Sequence, residues 1–275
     1  MTEHSATTAI AFIGGGNMAS AIIGGLTREG MAPEQIEVVE PFAAARDKLH
    51  AEFGVTAKEH ATAALTRALV VVWAVKPQTF KEAAAAARAH TGVALHLSVA
   101  AGIRSDSIAQ WLGTQRIVRS MPNTPALIGK GITALYARPG VSAQDKARVE
   151  QVIATTGESL WVDDEAHLDA VTALSGSGPA YVFFFLEAMT AAGVEMGLTR
   201  EQAYQLAVAT FGGASELARA SSDPPEVLRQ RVTSKGGTTY AAISSLEQDQ
   251  VKALFIKAIH AARQRARELG DEFGR

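Results

Sequence analysis

Residues Ala9 to Ile13 form a short apolar run that ends in Gly14-Gly15-Gly16-Asn17-Met18-Ala19, after which small and apolar residues recur at helical spacing through Leu26. A strand, a glycine turn and a helix in that order are the opening of a βαβ unit, and a Gly-x-Gly-x-x-Ala spacing there has a physical reading. Gly14 makes the tight turn, Gly16 lets a pyrophosphate approach the backbone, Asn17 and Met18 open the helix, and Ala19 allows that helix to pack closely on the sheet. The flanks agree: Ile36 to Val39 is a second apolar strand ending in Glu40, where an acid that accepts from ribose hydroxyls is expected. A carboxylate at that position favours NADH and repels the 2′-phosphate of NADPH, with Arg46 the nearby cation able to compensate.

The alternation continues with a helix over Ala43 to Phe53, a strand over Leu69 to Val75, a helix over Phe80 to Ala89, a strand over Val93 to Val99, a helix over Ser105 to Leu112 and a strand over Ile117 to Ser120. This pattern predicts a doubly wound, mainly parallel sheet with helices on both faces. Ligands bind such sheets outside the carboxyl ends of the strands, so Ala74-Val75-Lys76-Pro77, Ala100-Ala101 and Met121-Pro-Asn123 become candidate contacts. Ile132 to Tyr136 and Ser159 to Val162 close the sheet around a helix over Ala143 to Thr155. After Asp163-Asp164 the pattern is helical nearly to the end, which divides the chain into an α/β Rossmann-type domain over 1–163 and an all-α domain over 164–275. Ser175-Gly-Ser-Gly-Pro179 reads as a flexible break before a helix over Ala180 to Met196. That helix carries Tyr181-Val-Phe-Phe-Phe-Leu186 and is apolar almost all round, so it requires burial against a second subunit.

At 275 residues, 47% apolar and 20% charged, the chain has material for two cores. A net charge of −2 without a concentrated basic segment argues against a nucleic-acid partner. The absence of cysteine excludes disulfides, thiolate zinc sites and cysteine nucleophiles. The seven histidines (4, 50, 60, 90, 96, 167, 260) form no His-x-x-x-His pair, so no metal site is expected. Met1 to Thr8 lacks the pattern of a signal peptide and Leu69 to Val75 is too short to cross a bilayer, so a cytoplasmic location without a membrane partner is the expectation.

A second glycine loop lies far along the chain, in Val232-Thr-Ser-Lys-Gly-Gly-Thr-Thr-Tyr240, before apolar residues at helical spacing, Tyr240, Ile243 and Leu246. The first turn of a helix has unpartnered N–H groups and the positive end of the macrodipole, a fit for a small anion such as a substrate carboxylate; the alternative is a helix capped by threonine hydroxyls.

Taken in order, the first glycine loop, Ala74-Val-Lys-Pro77, Met121-Pro-Asn-Thr-Pro125, Ser175-Gly-Ser-Gly-Pro-Ala-Tyr181 and Val232-Thr-Ser-Lys-Gly-Gly-Thr-Thr239 resemble pyrroline-5-carboxylate reductase over essentially the whole chain. The resemblance implies reduction of the cyclic imine 1-pyrroline-5-carboxylate to L-proline with NADPH or NADH, the last step of proline biosynthesis. It also implies a helical domain that forms a homodimer, often within a ring of dimers. By the family pattern Gly236, Gly237 and Thr238 receive the substrate carboxylate, Thr239 faces the imine nitrogen, and Met121, Asn123 and Ser234 surround the ring. Ser175 and Ser177 are further candidates. The chain departs from the pattern at Ala61, where a cofactor-contacting Asn is usual, at Lys235, where Pro is commoner, and at Glu40, where polar or basic residues often stand. Two other functions compete: a β-hydroxyacid dehydrogenase, which uses a helical lysine as acid, and a non-catalytic nucleotide-binding regulator.

Overall fold

The computed structural model describes residues 9–274; the polar start Met1 to Thr8, with His4, lies outside them. The first part of the chain runs β1 (Ala9–Ile13), α1 (Asn17–Arg28), β2 (Ile36–Val39), α2 (Ala43–Phe53), β3 (Ala68–Trp73), α3 (Pro77–Ala87), β4 (Leu95–Ser98), α4 (Ser105–Leu112), β5 (Ile117–Met121), β6 (Gly131–Ala137), α5 (Ala143–Ala154) and β7 (Gly157–Trp161). The strands form one sheet in the order β2-β1-β3-β4-β5-β6-β7. Strands β1 to β5 are mutually parallel, as the βα alternation predicts. β6 runs antiparallel to β5 because only Pro122 to Lys130, with a short 3-10 turn over Thr124–Ile128, joins them, too little chain for a crossover. The chain then crosses over through α5 to lay β7 parallel to β6.

Both faces of the sheet are covered, so successive strand residues are buried alternately in two cores. Phe12, Val72, Leu95 and Leu97 pack with Ile22, Ile23 and Leu49 on one face, while Val71, Trp73 and Ile117 pack with Phe80 and Ile108 on the other. The strand order reverses between β1 and β3, which opens the crevice of a doubly wound sheet next to the first glycine loop.

Close packing divides the chain into two compact units: one runs to Ser177 and takes back Ala262 onward, the other is Gly178–Ala261. The last strand ends at Trp161, near the expected change at residue 163, yet α6 (His167–Val171) and the turns after it remain with the sheet. Ser175-Gly-Ser-Gly is not the flexible break that glycine and serine suggest. Thr172–Gly176 is a π-turn, closed by Ser177 N–H donating to Thr172 O at 2.8 Å.

The helical unit holds α7 (Gly178–Glu195), α8 (Arg200–Ala220), α9 (Pro225–Arg231), α10 (Thr238–Gln248) and the first half of α11 (Val251–Phe273). Thr199 and Gln202 form a capping box that starts α8, and Gly193 brings α7 so near Ala203 that a Cβ there would lie 2.6 Å from the alanine methyl. Tyr181 and Phe185 meet Phe255 edge-on. Most of the apolar surface of this unit still faces outward in a single chain: Phe183 is 58% and Phe184 66% exposed, with Leu206 and Leu254 similarly bare. Among the described residues no helix is long and apolar enough to cross a membrane.

One buried titratable group makes the sheet sensitive to acid. His96 on β4 accepts from the Trp73 indole N–H at 2.9 Å through Nδ1, and its Nε2 is buried without a hydrogen-bond partner. Burial pushes its pKa down from 6.5 to about 4; the nearby Thr91 backbone opposes this, and the Arg116 charge adds to the depression. The unfolded chain takes up this proton near pH 6.5 and the folded one only near 4, so stability is full above about pH 6.5 and declines as pH falls toward 4. The loss expected from this residue is about 2 kcal/mol at pH 5. His96→Asn keeps an acceptor for the indole and should remove this share of the pH dependence, read as the difference between urea midpoints at pH 7 and pH 5.

Candidate active site

The sheet unit gathers one set of candidates at a single edge. Gly14–Ala19 follow β1, Glu40 follows β2, Ala74–Pro77 follow β3, Ala100 and Ala101 follow β4, and Met121 ends β5, all at the carboxyl ends of parallel strands. Gly14 N–H donates to Val39 O and Ala74 N–H to Ile13 O, both at 2.8 Å, which fixes these loops at one level.

The three glycines act differently. Gly14 has φ +97°, and a Cβ there would lie 2.5 Å from the Ala74 carbonyl oxygen, so only glycine fits the fold. Gly15 is bare because a Cβ would strike Leu49 Cδ1 at 2.7 Å and press on Glu40 at 3.3 Å. Gly16 is exposed, with ordinary φ of −73°, and a Cβ there would meet nothing within 4 Å. It precedes α1, whose first turn has no side-chain cap and no acidic residue, so the N–H groups of Asn17, Met18 and Ala19 face an open cradle. These residues fit the pyrophosphate of a dinucleotide. Ala19 is fully buried, as close helix packing requires.

Around that cradle, Glu40 is buried, with Oε2 accepting the Gly15 N–H at 2.8 Å and Oε1 the Phe42 N–H at 2.9 Å. Lys76 caps α3 from an exposed position and Pro77 is its first residue, a placement its missing N–H allows. Ala100 is buried and Ala101 half-buried at the start of a loop that the chain's far end covers. A Cβ on Gly102 would lie 3.1 Å from Leu269 Cβ, Ser107 Oγ donates to Gly274 O at 2.7 Å, and Arg104 pairs with Asp271. Helical periodicity gives no sign of this return, since it is set by tertiary packing. Ala61, at the position of the usual Asn, is half-buried against the Trp73 core.

Met121 and Asn123 sit beside the same edge, and the Thr124–Ile128 turn that follows packs on α1. Met121 Cε occupies the space 2.5 Å from where a Gly176 Cβ would stand, so the π-turn seats its glycine on this methionine. Asn123 is 9% exposed and spends Oδ1 on the Ile132 N–H at 3.0 Å, bracing the start of β6. Ser175 Oγ donates to Val171 O at 3.1 Å, a helix-internal bond. A partly buried ion pair links neighbouring elements: Arg119 NH1 donates to Glu165 Oε1 at 2.6 Å, and the same carboxylate accepts the Ser105 N–H at 2.6 Å. It fixes β5 and the start of α4 together.

The helical unit builds the second set. Gly236 has φ +77° and Gly237 is the N-cap of α10, with its own N–H turned back to Ser234 O at 3.0 Å. No side chain caps this helix, and no acid lies in its first turn, so the N–H groups of Thr238, Thr239 and Tyr240 are open. The Ser234 hydroxyl lies 2.8 Å from the Cβ position of Gly237, which places it against this helix start. Thr172, Thr190, Thr210 and Thr233 all turn their hydroxyls back to a carbonyl four residues earlier. Thr238 and Thr239 make no such bond among the described residues, and Thr239 is the half-buried member of the pair. The helix start is therefore not capped by a threonine side chain among the described residues, and its open N–H groups have the geometry a small anion needs.

Known proteins match the chain in the same two parts. The family model described as pyrroline-5-carboxylate reductase dimerisation matches residues 165–269, and one described as NADP oxidoreductase coenzyme F420-dependent matches 9–102. The chain is 46% identical to the pyrroline-5-carboxylate reductase of Pseudomonas aeruginosa, over 98% of this chain and 99% of that one. It is 36% identical to that of Arabidopsis thaliana, over 94% and 95%. Among solved structures, a pyrroline-5-carboxylate reductase from Coxiella burnetii superposes with a TM-score of 0.88 at 39% identity, covering 96% of this chain and 98% of that one. The Plasmodium falciparum pyrroline carboxylate reductase with NADP bound superposes with a TM-score of 0.84 at 27% identity, covering 96% and 98%. The chain belongs to the pyrroline-5-carboxylate reductase family.

Proposed function

We propose that the protein reduces 1-pyrroline-5-carboxylate to L-proline with NADPH or NADH, in the cytoplasm, as the last step of proline biosynthesis. The observation that carries the reading is the uncapped start of α10, where open N–H groups and the unspent Thr239 hydroxyl stand together in the family's signature loop. In this reading the Gly14–Ala19 cradle, Glu40, Ala74–Pro77 and Ala100–Ala101 hold the dinucleotide, which supplies the hydride. Gly236, Gly237 and Thr238 anchor the substrate carboxylate through backbone N–H groups and the helix dipole. Thr239 holds the imine nitrogen through its hydroxyl, orienting the ring and favouring the protonated form, whose carbon is the better hydride acceptor. A neutral threonine is a weak acid, so its role is to orient the nitrogen or to pass on a proton from water. Ser234 lines the same helix start, and Met121 and Asn123 are assigned to the ring. The Asn123 amide N–H donors are free for this among the described residues, while Oδ1 already accepts one bond from β6.

The direct test is dinucleotide-dependent reduction of 1-pyrroline-5-carboxylate by the purified protein, with proline as product; no turnover with either cofactor would overturn the reading. The outward Phe183, Phe184, Leu206 and Leu254 surface belongs, in the same reading, to a homodimer, alone or within a ring of dimers. Light scattering at micromolar concentration should return a mass of at least two chains. Phe184→Asp should weaken the assembly, and a monomeric wild type with these phenylalanines accessible would refute the assignment.

A further inference from the structure

We infer that this chain selects NADH over NADPH, and that Glu40 is the residue that sets the preference. The inference rests on the dinucleotide-binding reading of the glycine loop and names the cofactor that loop takes. Glu40 directly follows β2 at the carboxyl edge of the sheet beside the cradle and is 6% exposed. Each of its carboxylate oxygens already holds one backbone N–H, from Gly15 and Phe42, so the group cannot swing away to admit another anion. The bare Gly15 backbone lets the side chain lie flat beneath the loop, and any side chain there would collide with Glu40 or Leu49. The lone pairs that remain suit a ribose diol, which brings O–H donors. A 2′-phosphate brings negative charge and no comparable donors, and would stand against a fixed carboxylate.

The cation that would offset this is held in place by other partners. Arg46 donates through NH1 to the carbonyls of Glu40 and Pro41 at 2.9 and 2.7 Å, and its other end faces Glu59 Oε2 at 3.7 Å. It thereby stiffens the β2–α2 turn, and its charge is shared with a second carboxylate. Lys58, on the adjoining segment, holds the end of β2 through its backbone, its carbonyl accepting the Glu40 N–H at 2.8 Å. Thus the arrangement points away from NADPH, although one matched family model is described by NADP and the Plasmodium relative binds it.

The test is direct binding, by fluorescence titration with NADH and with NADPH, of the wild type, Glu40→Gln and Glu40→Ser, with initial rates on 1-pyrroline-5-carboxylate measured beside it. NADH should bind the wild type about tenfold more tightly than NADPH, and both variants should narrow that ratio by about five- to tenfold. Glu40→Gln keeps the shape and an acceptor, so it reports the charge even if Glu40→Ser loosens the loop. Wild-type binding that is equal for the two cofactors or favours NADPH overturns the inference, and an unchanged ratio in both variants overturns the assignment to Glu40. If the dinucleotides bind with the expected ratio but no imine is reduced, the functional proposal fails and this inference stands; if NADPH supports the faster reduction and binds more tightly, the reverse holds.

Discussion

Gly16→Val should still fold, losing at most about 1 kcal/mol because valine is a poorer helix N-cap than glycine, and bind NADH or NADPH about a hundredfold more weakly. The two halves of that result come from different observations. Gly16 has a φ that any residue adopts, and no protein atom lies within 4 Å of its Cβ position, so the folded chain has room for a valine. In the proposed reading the room is the space in front of the α1 N–H groups that the pyrophosphate takes, and a branched side chain there overpacks the bound state. Overpacking by two or three buried groups costs about 3 kcal/mol, which is roughly a hundredfold in affinity. Gly14→Val is the contrast: with φ +97° and a Cβ 2.5 Å from the Ala74 carbonyl, it should lower the melting temperature. Dinucleotide titration and thermal melting on the two variants read out the distinction. Unchanged affinity in a folded Gly16→Val protein would remove the pyrophosphate from this loop.

That contrast marks how far local chemistry alone could be read. Spacing identified the glycine loop and the strand ends because both depend on short-range rules: a strand's period, a turn's φ, a helix's need for a start. The sheet followed for the same reason, and its antiparallel β6 agrees with the shortness of the Pro122 to Lys130 connection. Gly15 was invisible, since the x of a Gly-x-Gly is unconstrained until Glu40 and Leu49, 25 and 34 positions on, are seen to occupy its side-chain space. The π-turn was misread as a flexible break: Ser-Gly-Ser-Gly has the composition of a linker, and the contact of Gly176 with Met121 that orders it is between residues far apart in sequence. Nor could periodicity reveal that the end of α11 returns to the sheet unit, because Leu269 and Gly274 are ordinary residues on an ordinary helix.

Thr239→Val should lower kcat by roughly ten- to hundredfold, the worth of one hydrogen bond of about 1.5 to 3 kcal/mol to a group that is charged in the transition state. The helix itself should survive. Thr239 lies in the first turn of α10 and its hydroxyl makes no internal bond, so replacing it with an isosteric methyl removes nothing that holds the unit together. The same change at Thr233, whose hydroxyl is bound to Arg229 O at 2.6 Å, would remove an internal bond instead and should appear in stability. Thr238→Val should do less than Thr239→Val, because the contact assigned to Thr238 runs through its backbone N–H, which valine retains. Thr239→Ser restores the hydroxyl and should recover most of the rate, which a purely steric role for the threonine methyl would not produce. KM for 1-pyrroline-5-carboxylate should move little in Thr239→Val, since the open N–H groups proposed to hold the carboxylate are untouched. Near-native turnover in Thr239→Val, or a larger loss in Thr238→Val, would shift the contact with the imine nitrogen to another residue of the loop.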